Sequence, residues 1–173
     1  QTRFHTVAHL HLGEGGHRVR IPAAIHPYSA GIKGGIVGGI AMAIVAVAYG
    51  IIAHGSPWYP INLLATAAVP VPAQIRQEDL LAFHALGLIV ALISHAVVSL
   101  LVGLLYAAIL PMLPRHPAFW GGLIIPLMWT GLLWTFLDVI NPTLNQYIDW
   151  RWFIASQVAF GMIGGFVIAR AER

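Results

Sequence analysis

Four stretches of this chain run for about twenty residues or more with almost no charge: roughly 34–53, 80–110, 118–140 and 152–169. A length of about 20 apolar residues is what a helix needs to cross a hydrocarbon layer about 30 Å thick. Inside such a layer every backbone N–H and C=O must find an internal partner, which leaves the α-helix as the form open to a separate apolar run. The pattern therefore predicts an all-α integral membrane protein, a bundle of four transmembrane helices. Composition agrees, with 58% hydrophobic and 9% charged residues, against about 25% charged in an ordinary soluble domain. The second run exceeds the required length, so it is expected to tilt or to extend beyond the bilayer.

The polar segments divide the rest. Residues 1–30 form an arm in which TVAHLHL, GEGG and HRVRI alternate like a β-hairpin around a turn. Pro22 and Pro27 stand against a continuous helix between this arm and the first span. The arm has no apolar core of the signal-peptide kind. The chain opens on Gln1 rather than Met, so its start is expected to be processed or to lie further upstream. Between spans one and two lies PWYPINLLATAAVPVPAQIR, whose apolar part is too short to cross. With Trp58 and Tyr59 as interface anchors, it is expected to be a short interfacial helix or a re-entrant segment packed on protein. The organisation is thus an N-terminal arm, 1–30, and a four-helix transmembrane domain, 31–173.

Lys and Arg set the orientation. Arg3, Arg18, Arg20, Lys33, Arg115, Arg170 and Arg173 fall on one side of a four-span topology, and only Arg76 and Arg151 on the other. The positive-inside rule then places both termini in the cytoplasm, with the bacterial inner membrane as the expected location. The formal charge of +3 is explained by this partition and calls for no nucleic-acid partner. The absence of cysteine excludes disulfides, thiolate metal centres, iron–sulfur clusters and covalently held c-type haem.

The segment GIKGGIVGGI holds five glycines where the first span begins, although glycine in a helix interior costs about 0.5–1 kcal/mol against alanine. Gly31, Gly35 and Gly39 recur every fourth residue, with Gly34 and Gly38 one position away. In lipid, helices associate by close packing, and small residues at this spacing let two backbones approach. Span four repeats the device with Gly161 and Gly165, joined by Gly164. These glycines are predicted to be helix-packing residues.

Span two carries the polar stripe. His84 and His95 are eleven residues apart, and eleven steps of about 100° return to nearly the same face about 16 Å further along. Ser99, Gly103 and Tyr106 continue the line. Histidine at membrane depth faces protein rather than lipid, and these positions are read either as hydrogen bonds to a neighbouring helix or as proton, quinone or haem contacts. Asp138 is the only acid within a span, near the outer end of span three. Its depth matches that of His84, so a structural His84–Asp138 pair is expected. A bis-histidine haem is excluded for this chain alone, because spans one, three and four have no internal histidine. One ligand to a partner's haem remains open. His5, His9, His11 and His17 lack the carboxylate pattern of a metal site, so no metal and no cofactor is assigned to the chain by itself; lipid is expected around it.

Ser94-His95, Ser99, Gly103, Tyr106, Pro114, Trp120-Gly121, Ser156 and Phe160-Gly161 carry a resemblance, across residues 94–170, to multi-span bacterial inner-membrane proteins of the YagU type. The resemblance implies an architecture and no catalytic residues. With no nucleophile motif, phosphate loop or metalloprotease motif present, the expected role is a non-catalytic accessory subunit of a larger bacterial membrane complex, respiratory in kind, among other membrane-protein subunits. A homo-oligomeric transporter or channel is the runner-up, and a quinone- or haem-contacting redox subunit the third reading.

Overall fold

The computed structural model describes residues 27–69, 76–112, 116 and 119–171, and the arm's hairpin pattern lies outside them. The described residues form seven helices, a 3-10 turn after the fourth (Leu110–Met112) and no strand: α1 (Pro27–His54), α2 (Trp58–Ala68), α3 (Gln77–Leu81), α4 (Ala85–Ile109), α5 (Trp120–Ile140), α6 (Pro142–Tyr147) and α7 (Trp150–Ala171). Four of them, α1, α4, α5 and α7, are long and apolar enough to cross a membrane. Large apolar side chains cover their outer faces: Val139 is 84% exposed, Leu86 73% and Met128 69%. Water would not tolerate so much exposed apolar surface, and the chain is a membrane-spanning helical protein.

The helix limits differ from the sequence expectation at two places. α1 starts at Pro27, not near residue 34, because proline at the first helical position loses only an N–H that has no intrahelical partner. The second apolar run is broken: α3 ends at Leu81, and His84 sits before α4 with extended backbone, φ −129° and ψ 114°. His84 is therefore not on the α4 stripe.

α1 is the centre of the bundle, packed on one side against α4 and on another against α7. Its glycines do not form one face but two. Gly31, Gly35 and Gly39 meet α4, where a Cβ on Gly35 would lie 2.6 Å from Ser99 O and one on Gly39 2.7 Å from Ser99 Oγ. Gly34 and Gly38 meet α7, where a Cβ on Gly34 would lie 2.5 Å from Ile168 Cγ1 and one on Gly38 3.0 Å from Phe160 O. Gly103 answers Gly31 and Gly35 from α4, and Gly164 answers Gly34 from α7. Gly161 turns to α5, where a Cβ would collide with Gly121 O. Gly165 is the looser member, its nearest neighbour Leu110 Cδ1 at an ordinary 3.7 Å.

α5 packs along α7 rather than along α4. It opens with a π turn, Trp120–Ile124, in which Ile125 N–H bonds to Trp120 O. The next donor in that register would be residue 126, which is proline and has no N–H. Gly121 O is left without its helical donor, and Tyr106 Oη of α4 donates to it at 3.0 Å. A buried tyrosine thus completes a helix that proline leaves incomplete.

The segment forms the short helix α2, packed on the protein. Tyr59, Asn62, Leu63 and Thr66 are buried. Asn62 Nδ2 donates to Leu80 O (2.9 Å) and Ala82 O (2.7 Å), and Ser56 Oγ to Leu81 O (2.8 Å). These bonds hold the turn that leads into α4. The chain reverses from α1 to α2 at Gly55, whose φ of +68° is a conformation that glycine adopts without strain.

Candidate functional site

A cavity of about 310 Å³ lies between α1, α2, α4 and α7, with the first turn of α7 and its preceding loop at one edge. Its wall is apolar, built from residues such as Ala46, Leu64, Ala67 and Ala91, with Trp152 and Phe153 adding aromatic faces. The cavity exists because α1 changes character along its length. The closely spaced glycine rows end at Gly39, and Met42, Ala43, Ala46 and Val47 then line the space between the neighbouring helices.

His95 lines this cavity and is half-buried. Its Nε2–H donates to Gly39 O of α1 at 2.7 Å. A carbonyl cannot donate, so Nε2 carries the proton and, in the neutral ring, Nδ1 is the acceptor. Gln157 of α7 lines the same space, and its amide N–H approaches Met42 Sδ at 3.3 Å. A thioether is a weak acceptor, which leaves the amide free for a stronger partner. Ser99, one turn along α4 from His95, is 4% exposed with its hydroxyl unpartnered against the α1 seam.

Tyr49 of the cavity wall belongs to an aromatic cluster beside the α1–α2 turn. Tyr49 hydrogen-bonds His54 Nε2 at 2.9 Å, and the His54 ring stacks on Tyr59 with centroids 3.6 Å apart. Tyr59 Oη donates to Tyr147 O at 3.0 Å. Burial, with Tyr147 and Asp149 nearby, pushes the Tyr59 phenol above its ordinary range. Asp149 also reaches the cavity; hydrogen bonding from Arg151 holds its carboxyl below the usual carboxylate range.

Of the polar residues expected from sequence, His95 and Ser99 are brought onto the α1–α4 seam, facing Gly39 and Gly35, while Tyr106 of the same helix reaches Gly121 of α5. The expected His84–Asp138 pair is not made. His84 Nε2–H donates to Asp79 O at 2.9 Å, and Asp138 accepts from Asn145 Nδ2 at 3.3 Å. Both side chains are exposed. Similar depth does not imply adjacency here, because α5 leans on α7 and each residue finds a partner in its own connecting segment. Gln157 and Tyr49 belong to the cavity and were not singled out from sequence; only their convergence in three dimensions marks them. Among the described residues no cluster of three or more His, Asp or Glu suits a metal ion.

The arrangement defines a four-span membrane bundle with a largely apolar cavity among the described residues. The chain matches no protein-family model, no curated protein and no solved structure.

Proposed function

We propose that this protein is a non-catalytic accessory subunit of a larger bacterial inner-membrane complex of the respiratory, electron-transport kind, with both termini cytoplasmic. Gly131 carries the reading. The other glycines of the four spans each face an atom of a neighbouring residue within 4 Å, whereas a Cβ on Gly131 would meet nothing. It lies on the outer face of α5 beside exposed Met128, Leu132, Trp134 and Thr135. A glycine turned to lipid weakens its helix and gains no packing. The same glycine beneath a helix from another chain permits the close approach that drives association in membranes. The histidine count supports the electron-transport part, since it lets this chain offer one ligand or contact to a cofactor held by a partner and not a haem site of its own.

Purification in mild detergent followed by mass spectrometry of co-purifying chains tests the reading. Other membrane subunits are expected at fixed stoichiometry, and Gly131→Leu is expected to release them while the isolated chain keeps its thermal stability. A homo-oligomer without other subunits would favour the transporter instead. A monomer indifferent to Gly131→Leu would overturn both. Cysteine labelling at residues 15 and 146 of intact cells tests the orientation, because these positions must react from opposite sides.

A further inference from the structure

We infer that the cavity between α1, α2, α4 and α7 is a binding site for a lipid-soluble aromatic ring bearing a hydroxyl donor, a hydroquinone, and that it prefers the reduced form over the oxidised one. Three observations carry this. The space is about 310 Å³, at the lower end of small-molecule sites and enough for a substituted ring. Its wall is apolar with Trp152, Phe153 and Tyr49 able to pack on a ring face. Its polar groups are few and come from different helices: His95 from α4, Gln157 from α7 and Asp149 from the preceding loop.

The preference for a hydroxyl follows from hydrogen-bond accounting. His95 has one N–H in its neutral ring, and Gly39 O occupies it. What remains is an acceptor, so the complementary ligand atom is a donor. A hydroquinone hydroxyl satisfies it; a quinone carbonyl sets acceptor against acceptor. Gln157, held only by Met42 Sδ, can meet the second ring oxygen by either end of its amide. The Gly39 bond also explains why His95 holds its tautomer: Gly39 belongs to the tight α1–α4 seam, where a Cβ would stand 2.7 Å from Ser99 Oγ. No electron transfer is assigned to the site; the claim is one of recognition. It is independent of the assembly reading, because the isolated chain contains the whole cavity.

The test uses the full chain in nanodiscs of phosphatidylcholine, titrated calorimetrically with three probes of one shape: duroquinol, duroquinone and durene, which has no oxygen. Saturable binding of one duroquinol per chain is expected, with duroquinone and durene about tenfold weaker, the scale of one unmatched buried hydrogen bond. Ala67 is exposed on α2 and lines the cavity, so Ala67→Trp should abolish binding of all three and leave the helix seams intact. His95→Phe should equalise the three probes. Equal affinities in the wild-type chain would overturn the hydroxyl recognition, and need no variant to be seen. Unchanged binding in a folded Ala67→Trp chain would overturn the location. If none of the three probes saturates, as expected where only acyl chains fill the space, the site is overturned.

Discussion

The two halves of the bundle use the same three helices and close in opposite ways. Along residues 31–39, α1 presents glycine, and α4 and α7 approach until backbone meets backbone: Gly35 against Ser99 O, Gly34 against Gly164 O. Along residues 42–49, α1 presents Met42, Ala43, Ala46 and Tyr49, and the same neighbours stand apart around a cavity that α2 covers. A few side-chain carbons on one helix therefore decide whether a membrane bundle is sealed or hollow. In lipid, where apolar burial between helices contributes little, this is the expected lever. The sealed half carries stability and the hollow half carries room for a ligand.

Substitutions that exchange the character of the halves test this contrast most strongly. Gly103→Leu or Gly161→Leu places a side chain where even a Cβ collides with backbone, and overpacking of this kind costs about 1–3 kcal/mol or more. Loss of the thermal transition in detergent is expected. Ala46→Leu in the hollow half should change stability by no more than about 0.5 kcal/mol, since the cavity can take the added carbons. Equal damage at both places would dissolve the distinction.

Next in size is Tyr106→Phe. It removes the donor to Gly121 O, and an unsatisfied buried carbonyl costs about 1–3 kcal/mol. Adding Pro126→Ala restores an N–H to that register, so the double variant should recover part of the loss in a thermal melt. No recovery would show that the tyrosine acts through packing on Phe160, its ring neighbour at 5.9 Å.

Asp138→Asn and Asp138→Leu should both stay within about 0.5 kcal/mol, because Asp138 is exposed and its partner is the exposed bond to Asn145. A large penalty confined to the leucine variant would revive the pairing with His84. The smallest effect is a pH dependence at the cavity mouth. Asp149 is held below its unfolded value by Arg151. Its contribution is therefore present above the ordinary carboxylate pKa of about 3.9 and lost as pH falls through the lower folded value. A melting-temperature step below about pH 4 that disappears in Arg151→Gln would show it.

Much of this molecule was legible in its sequence. The four spans were, because length and apolarity are set by bilayer thickness rather than by neighbours. Gly31, Gly35 and Gly39 were legible as a row because a four-residue spacing keeps them on one helix face, and that face lies against α4. That Gly34 and Gly38 serve a different helix was not, since a repeat says how a face is made and not what lies opposite. The His84–Asp138 expectation failed on the same point, because depth along the membrane normal carries no information about lateral position. α1 begins ahead of the apolar run that starts near residue 34, because Pro27 is favourable at the first helical position and a helix can continue past the apolar stretch that marks it in the sequence. Gln157 gave no local signal; it matters through helices 115 residues away in the chain, at Met42.

The central place of α1 also has a consequence for how the protein is made. α1 leaves the ribosome before the helices that cover its two glycine rows, α4 and α7, and the later of these begins only at Trp150. Until α7 has been made, the newborn chain must hold a helix in the bilayer with a strip of bare backbone and only part of its cover. That interval exposes it to membrane chaperones and proteases, so a premature stop before Trp150 should yield rapid degradation rather than a smaller stable bundle.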